Sequence, residues 1–220
     1  MRRLLVLRPE PGASATIAKA QEMGLEVVAV PLFAVEPLAW EAPEAAGFDA
    51  LLLTSANALR HGGPELSAVR GLPVYAVGEA TADAAREAGF SIAATGDAGV
   101  ERLLGSIEAD LRLLHLCGED RRDPEGPQKI ASIPVYRATP VAAPELAEAG
   151  GSVALIHSHR AGRRFAELTE DRSSIAVAAI SQAAADAVGD GWQSVEAADR
   201  PSDDALLALA ARLCNKPPPQ

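Results

Sequence analysis

Short apolar runs alternate with stretches of helical composition along almost the whole chain. Arg3 to Leu7 (RLLVL) lacks the apolar–polar alternation of a half-exposed strand and reads as one buried on both faces. A loop, Arg8-Pro9-Glu10-Pro11-Gly12, leads into a helical stretch from Ala13 to Met23 that Gly24 closes. Leu25 to Val30 (LEVVAV) is the next predicted strand. Strand, helix and strand at this spacing make a βαβ unit, and βαβ units build parallel sheets. Further strands are predicted at Asp49 to Thr54, Leu72 to Val77, Phe90 to Ala94, Leu111 to Leu116, Gly151 to His157, Ser174 to Ile180 and Trp192 to Ala197. Helices are expected between them. One starts at Ser55, with Ser55 or Asn57 as its cap, and another runs from Glu79 to Ala88 and stops at Gly89. Others cover Val100 to about Ile107, Ser158 to Leu168, Ser181 to Val188 and Asp203 to about Leu213, the last capped by Ser202. Pro124, Gly126 and Pro127 argue against a helix after Leu111 to Leu116, and the tail Asn215 to Gln220 reads as disordered.

Two stretches break the alternation and resemble each other. Val30 to Pro37 (VPLFAVEP) and Ile133 to Pro140 (IPVYRATP) both carry prolines near their ends with β-branched and aromatic residues between. They read as extended connectors, since proline disfavours helix at itself and at the residue before it. Their offset of 103 (133 − 30) also sets Asp49–Ser55 on Ser152–Ser158 and Val77–Ala84 on Ile180–Ala187. A constant register over three segments points to an internal duplication. The expected architecture is α/β, with two parallel-sheet domains. One is discontinuous, 1–34 plus 139–220, and the other spans 38–134. Linkers at about 31–37 and 134–140 run as an antiparallel two-stranded hinge, and a ligand cleft is expected between the domains.

Composition narrows the class. The chain has 220 residues, 48% hydrophobic and only 4% aromatic, so its core rests on Ala, Leu, Val and Ile. Two distant cysteines, Cys117 and Cys214, and an amino terminus that reads as a first strand rather than a signal peptide, suit a reducing cytoplasm. No apolar run is long enough to span a bilayer. The net charge of −10 opposes nucleic-acid binding, which depends on a basic surface. An acidic ligand must then be held by local groups.

Ligands of open parallel sheets sit at the carboxyl ends of strands, beside helix N-termini whose N–H groups suit anions. That rule selects Arg8, Thr54, Ser55, Asn57, Gly78, Thr81, Gly118, Ser158, Ser181 and Gln182 as binding residues. The hydroxyl and amide residues among them also suit plain helix caps. His157 and His159 flank Ser158, but no further ligand at metal spacing accompanies them. Arg160, Arg163 and Arg164 can line a carboxylate site or form a solvated helix face. Tyr136, one of two tyrosines, lies in the second connector, where a phenol can donate a proton to a bound group or simply pack.

Several stretches together resemble the uroporphyrinogen-III synthase family over nearly the full length. They are LLTSANAL from Leu52, VYAVGEATADAAREAGF from Val74, LHLCGEDRRD from Leu114, IPVYRATP from Ile133 and PSDDALLAL from Pro201. The resemblance implies two flavodoxin-like domains joined by a two-stranded linker. It implies conversion of hydroxymethylbilane, a linear tetrapyrrole with eight carboxylates, to uroporphyrinogen III, with loss of water, inversion of ring D through a spiro intermediate and ring closure. No cofactor or metal is implied. The family's tyrosine falls on Tyr136, its first-domain threonine on Thr81 and its helix-start serines on Ser55 and Ser158. Ala183 and Ala184 stand where the family often has a threonine pair, and His159 where it commonly has proline. The expected protein is a cytoplasmic monomer, without nucleic-acid or membrane partners, that receives its substrate from the preceding pathway enzyme. A non-catalytic binder or sensor of an anionic small molecule is the alternative.

Overall fold

Leucine, valine and alanine runs too short to be helices form the strands, and the glycine-bounded stretches between them form the helices. A computed structural model describes residues 2–97, 99–121, 123–146 and 149–215; Arg122 and most of the expected disordered tail fall outside these. The elements in order are β1 (Leu4–Val6), α1 (Gly12–Glu22), β2 (Val27–Ala29), β3 (Phe33–Pro37), β4 (Ala50–Leu53), α2 (Asn57–His61), β5 (Val74–Val77), α3 (Glu79–Glu87) and β6 (Ile92–Gly96). They continue with α4 (Val100–Gly105), β7 (Arg112–Gly118), β8 (Lys129–Pro140), β9 (Val153–Ile156), α5 (His159–Leu168), β10 (Ala176–Ala179), α6 (Gln182–Asp186), β11 (Ser194–Ala197) and α7 (Asp203–Asn215). The chain divides into two units, residues 1–34 with 140–220 and residues 35–139.

The discontinuous unit holds a five-stranded sheet in the order β2-β1-β9-β10-β11. Its strands are parallel, with Leu4 opposite both Val27 and Val153, and Ala176 opposite both Val153 and Ser194. The three central strands are buried along their full length, which is why they read as unbroken apolar runs. Leu4, Val6, Leu155 and Ala178 pack with Ala13 and Ala20 of α1 and with Leu206, Leu209 and Leu213 of α7. Phe165 of α5 stacks on Trp192 at 4.9 Å between ring centroids.

The continuous unit holds a sheet in the order β3-β8-β7-β4-β5-β6. From β8 to β6 the pairing is parallel. The order β8-β7-β4-β5-β6 repeats β2-β1-β9-β10-β11 of the other unit, and β4 and β9 start 103 residues apart (153 − 50). On its outer edge β8 meets β3. Leu38 N–H donates to Val135 O and Val141 N–H to Leu32 O, both at 2.9 Å, so these two run antiparallel. The stretch IPVYRATP forms the last eight residues of one 12-residue strand, longer than the sequence pattern predicts. Pro134 fits because the register with β7 shifts there, from Cys117↔Pro134 to Gly118↔Tyr136. A 3₁₀ turn at Pro64–Val69, which the apolar pattern does not announce, buries Leu66 and Val69.

One buried polar group sits in the middle of this sheet. His115 of β7 is 2% exposed. Its Nε2 lies 3.2 Å from Thr54 Oγ1, beyond the end of β4, and its Nδ1 lies 3.1 Å from Ser132 Oγ on β8. The imidazole thus ties a central strand to both neighbours. Burial pushes its pKa down to about 4, with nearby Arg121 adding to the effect and Asp123 opposing it. In the unfolded chain this histidine protonates near 6.5, whereas in the fold it stays neutral down to about 4. Falling pH in that window therefore favours the unfolded chain. Stability should drop by about 3 kcal/mol from this group between the two values, and the group's slope fades as pH rises past 6.5. Denaturant unfolding at a series of pH values checks this. His115→Gln should be less stable at pH 7 yet lose much less between pH 6.5 and 4 than the parent; parallel pH profiles would assign the slope to other groups.

Candidate functional site

Parallel pairing brings the carboxyl ends of neighbouring strands to one edge of each sheet. In the continuous unit that edge carries Gly118 at the end of β7, Thr54 and Ser55 after β4, and Gly78 after β5. Gly78, at the cap position before α3, has φ +84, a backbone state that costs any residue with a Cβ. Thr81, 5% exposed, donates its N–H to Gly78 O at 3.1 Å. The start of α2 differs from the expected serine or asparagine cap. Ala56 occupies the cap position without a side-chain bond, and Ser55 Oγ instead accepts from Asn57 N at 3.2 Å. Asn57 Oδ1 is buried with no hydrogen-bond partner among the described residues.

Tyr136 reaches the same edge from β8, directly opposite Gly118. Its ring lies on that glycine. A Cβ at position 118 would come within 2.9 Å of the ring and 3.2 Å of the hydroxyl oxygen, so the close approach requires glycine. His61 lies 6.2 Å away, ring to ring. Burial pushes the Tyr136 phenol above its ordinary value; the Ser55 hydroxyl pulls the other way, and neighbouring Cys117 adds to the rise. Cys117 donates its thiol to Ile133 O at 3.4 Å, and burial pushes that thiol up to about 11. Burial, with Arg60, lowers His61. All three groups are thereby favoured in their uncharged forms. This corner offers neutral hydrogen-bond donors, with Tyr136 and Cys117 more deeply buried than His61.

In the discontinuous unit the corresponding edge carries Arg8 after β1, His157 and Ser158 after β9, and Ser181 and Gln182 after β10. Ser158 Oγ accepts from Ala161 N at 3.1 Å and Ser181 Oγ from Ala184 N at 3.3 Å, so both serines cap their helices. Gln182 Nε2 donates along its own helix to Asp186 at 2.7 Å. Arg8 does not stand alone. Its Nη1 lies 3.4 Å from Asp203 Oδ1 and 3.3 Å from Thr16 Oγ1. Asp203, the first residue of α7, also receives Thr16 Oγ1 at 3.0 and 3.2 Å and His157 Nε2 at 3.0 Å. Burial alone would raise the Asp203 carboxyl, but His157, Thr16 and Arg8 together hold it below its ordinary value. His157 Nδ1 is buried without a partner among the described residues.

The ten expected binding residues and Tyr136 thus fall into two groups, one per sheet. Three further polar residues join these networks: His115 in the body of β7, Thr16 within α1 and Asp203 at the start of α7. Apart from Arg8 on Thr16, eight positions away, their partners lie 17 to 195 positions away in sequence, so local spacing does not mark these clusters. Among the described residues no group of three or more His, Cys, Asp or Glu is placed to hold a metal ion, and no helix is long and apolar enough to cross a membrane.

A family model described as uroporphyrinogen-III synthase HemD matches residues 14–208. No curated protein matches the chain. Among solved structures, uroporphyrinogen-III synthetase from Helicobacter pylori aligns with a TM-score of 0.68 at 20% identity, covering 97% of this chain and 100% of that one. A mutant uroporphyrinogen III synthase from the extremely thermophilic bacterium Thermus thermophilus aligns with a TM-score of 0.50 at 18% identity, covering 97% and 100%. At these identities the structures speak for the fold, while the family model spans most of the sequence. The chain belongs to the uroporphyrinogen-III synthase family, the cyclising lyases of tetrapyrrole biosynthesis.

Proposed function

We propose that the chain closes hydroxymethylbilane to uroporphyrinogen III, with Tyr136 as the proton donor for the departing hydroxyl. The observation that carries this reading is the Tyr136 phenol, packed on Gly118 at the strand edge and held protonated by burial. A neutral phenol can pass a proton to a leaving hydroxyl, which departs as water. Ring closure at a substituted pyrrole carbon, followed by inversion of ring D, later releases a proton, and the phenoxide takes it back. Net charge is conserved and no other reagent is consumed. The remaining work is positional, because a flexible chain must be held so that ring D attacks through one carbon rather than another.

Substrate carboxylates are assigned to Arg8, Thr54, Ser55, Asn57, Gly78, Thr81, Gly118, Ser158, Ser181 and Gln182. Ser158 and Ser181 leave their own hydroxyls committed to capping, which supports backbone rather than side-chain contacts there. The loss of a threonine pair at Ala183 and Ala184 is tolerable on the same ground. The reading carries with it a cytoplasmic monomer that takes its substrate from the preceding enzyme before spontaneous closure intervenes.

Freshly made hydroxymethylbilane, followed by oxidation and separation of the porphyrin isomers, tests the activity. Isomer III should predominate; isomer I alone, the spontaneous product, would sink the proposal. Thermal stabilisation by the substrate without turnover would point to the alternative, a binder of anionic small molecules. Tyr136→Phe should lower the rate on the order of 100-fold while shifting Tm by no more than about 2 °C. An unchanged rate would make Tyr136 a packing residue. Gly118→Ala should displace the Tyr136 ring and slow turnover about tenfold or more, since small misplacements of reacting groups are costly. Full activity in that variant would contradict the placement of the ring.

A further inference from the structure

Burial favours the uncharged forms of Tyr136 and Cys117 in the continuous unit, yet the proposed substrate is a polyanion. A cluster of arginines lies in the other unit, on the helix that Ser158 caps. A cavity of about 330 Å³ runs along α5, lined by His159, Arg160, Arg163, Arg164, Glu167 and Phe33. Positions 160, 163, 164 and 167 are spaced by three or four residues, so they share one helix face. Arg163 and Arg164 share the Glu167 carboxylate there, in a chain whose net charge is −10.

The arginines are held in different ways. Arg160 lies over the Phe33 ring, 4.5 Å from its centroid, which fixes the plane of the guanidinium. Arg164 donates from Nη2 to Val141 O at 3.2 Å, while its Nε is buried with no partner among the described residues. Glu167 serves both remaining contacts at long range, 3.7 Å from Arg164 and 3.9 Å from Arg163. One carboxylate at such distances does not saturate two forks that can each take a carboxylate bidentately. Arg163 is 67% exposed and its side chain is available to move.

We infer that this groove is a carboxylate-binding subsite for the acidic side arms of the tetrapyrrole, contributing affinity rather than chemistry. The inference rests on the cyclase reading for the identity of the ligand. Its volume is at the lower end for small-molecule pockets and suits one or two carboxylate arms, not a whole macrocycle. Arg163 and Arg164 supply the two forks, Arg160 the fixed rear wall, and Glu167 competes with the ligand.

Uroporphyrin I, fluorescent and carrying eight carboxylates, is the direct probe, with coproporphyrin I, carrying four, as the comparison. Arg163→Glu should weaken uroporphyrin binding about tenfold, and Glu167→Gln should tighten it about two- to threefold. Both effects should be smaller for coproporphyrin and should shrink at high salt. Both substituted residues are largely exposed, and matched melting temperatures confirm that the variants fold. With hydroxymethylbilane, Arg163→Glu should raise KM about tenfold with kcat within about twofold of the parent. Uroporphyrin affinities within twofold of the parent in both variants would overturn the groove as a subsite. If the parent itself yields only isomer I, the cyclase reading fails, and the porphyrin affinities still decide whether the groove binds carboxylates.

Discussion

Parallel strands covered on both faces can expose polar groups only at their ends, and both units of this chain obey that constraint. β1, β9 and β10 in one sheet, and β4 and β7 in the other, are buried almost throughout. Chemistry is thereby confined to the turns where strands pass into helices. All parallel strands of a sheet point the same way, so those turns share an edge. This is why Thr54, Ser55, Gly78 and Gly118, scattered along 65 positions (118 − 53), gather within one unit. The strand order repeats between the sheets, β4 and β9 start 103 residues apart (153 − 50), and the strand pairs β7–β8 and β1–β2 take equivalent places.

The two edges have different electrostatic character. In the continuous unit burial dominates: Tyr136 and Cys117 are pushed up, His61 and His115 down, and each is favoured without charge. In the discontinuous unit charges are kept and neutralised internally, with Asp203 collecting Arg8, Thr16 and His157. That network also anchors the start of α7 to α1 and to the ends of β1 and β9. The contrast means that the two edges present different hydrogen-bonding surfaces, one largely of neutral donors and the other of an internally paired charge network.

The apolar runs, the helix stops at Gly24 and Gly89, and the cap at Ser202 were legible because each depends on neighbours within a few residues. So were the candidate strand-end residues, since they follow from where runs end. The 3₁₀ turn at Pro64–Val69 was not, because its apolar spacing is too brief to show a period. The length of β8 was hidden by Pro134, which a register shift accommodates only once β7 is alongside. The His115 bridge and the Asp203 cluster were invisible for a related reason. Each joins residues from separate strands or helices, and a single histidine or aspartate carries no local sign of its partners. The contact of Tyr136 with Gly118 depends in turn on the exact register of two strands.

The central claim is that the Tyr136 phenol is kept protonated at the strand edge as a proton donor. Ultraviolet difference titration reads it directly, because Tyr75 is the other of the two tyrosines and Tyr75→Phe leaves a single signal. In that background the phenol should ionise above its ordinary value near 10, as burial demands, and the step should vanish when Tyr136→Phe is added. Ionisation at or below 10 would show a solvated or anion-stabilised tyrosine and would contradict the account.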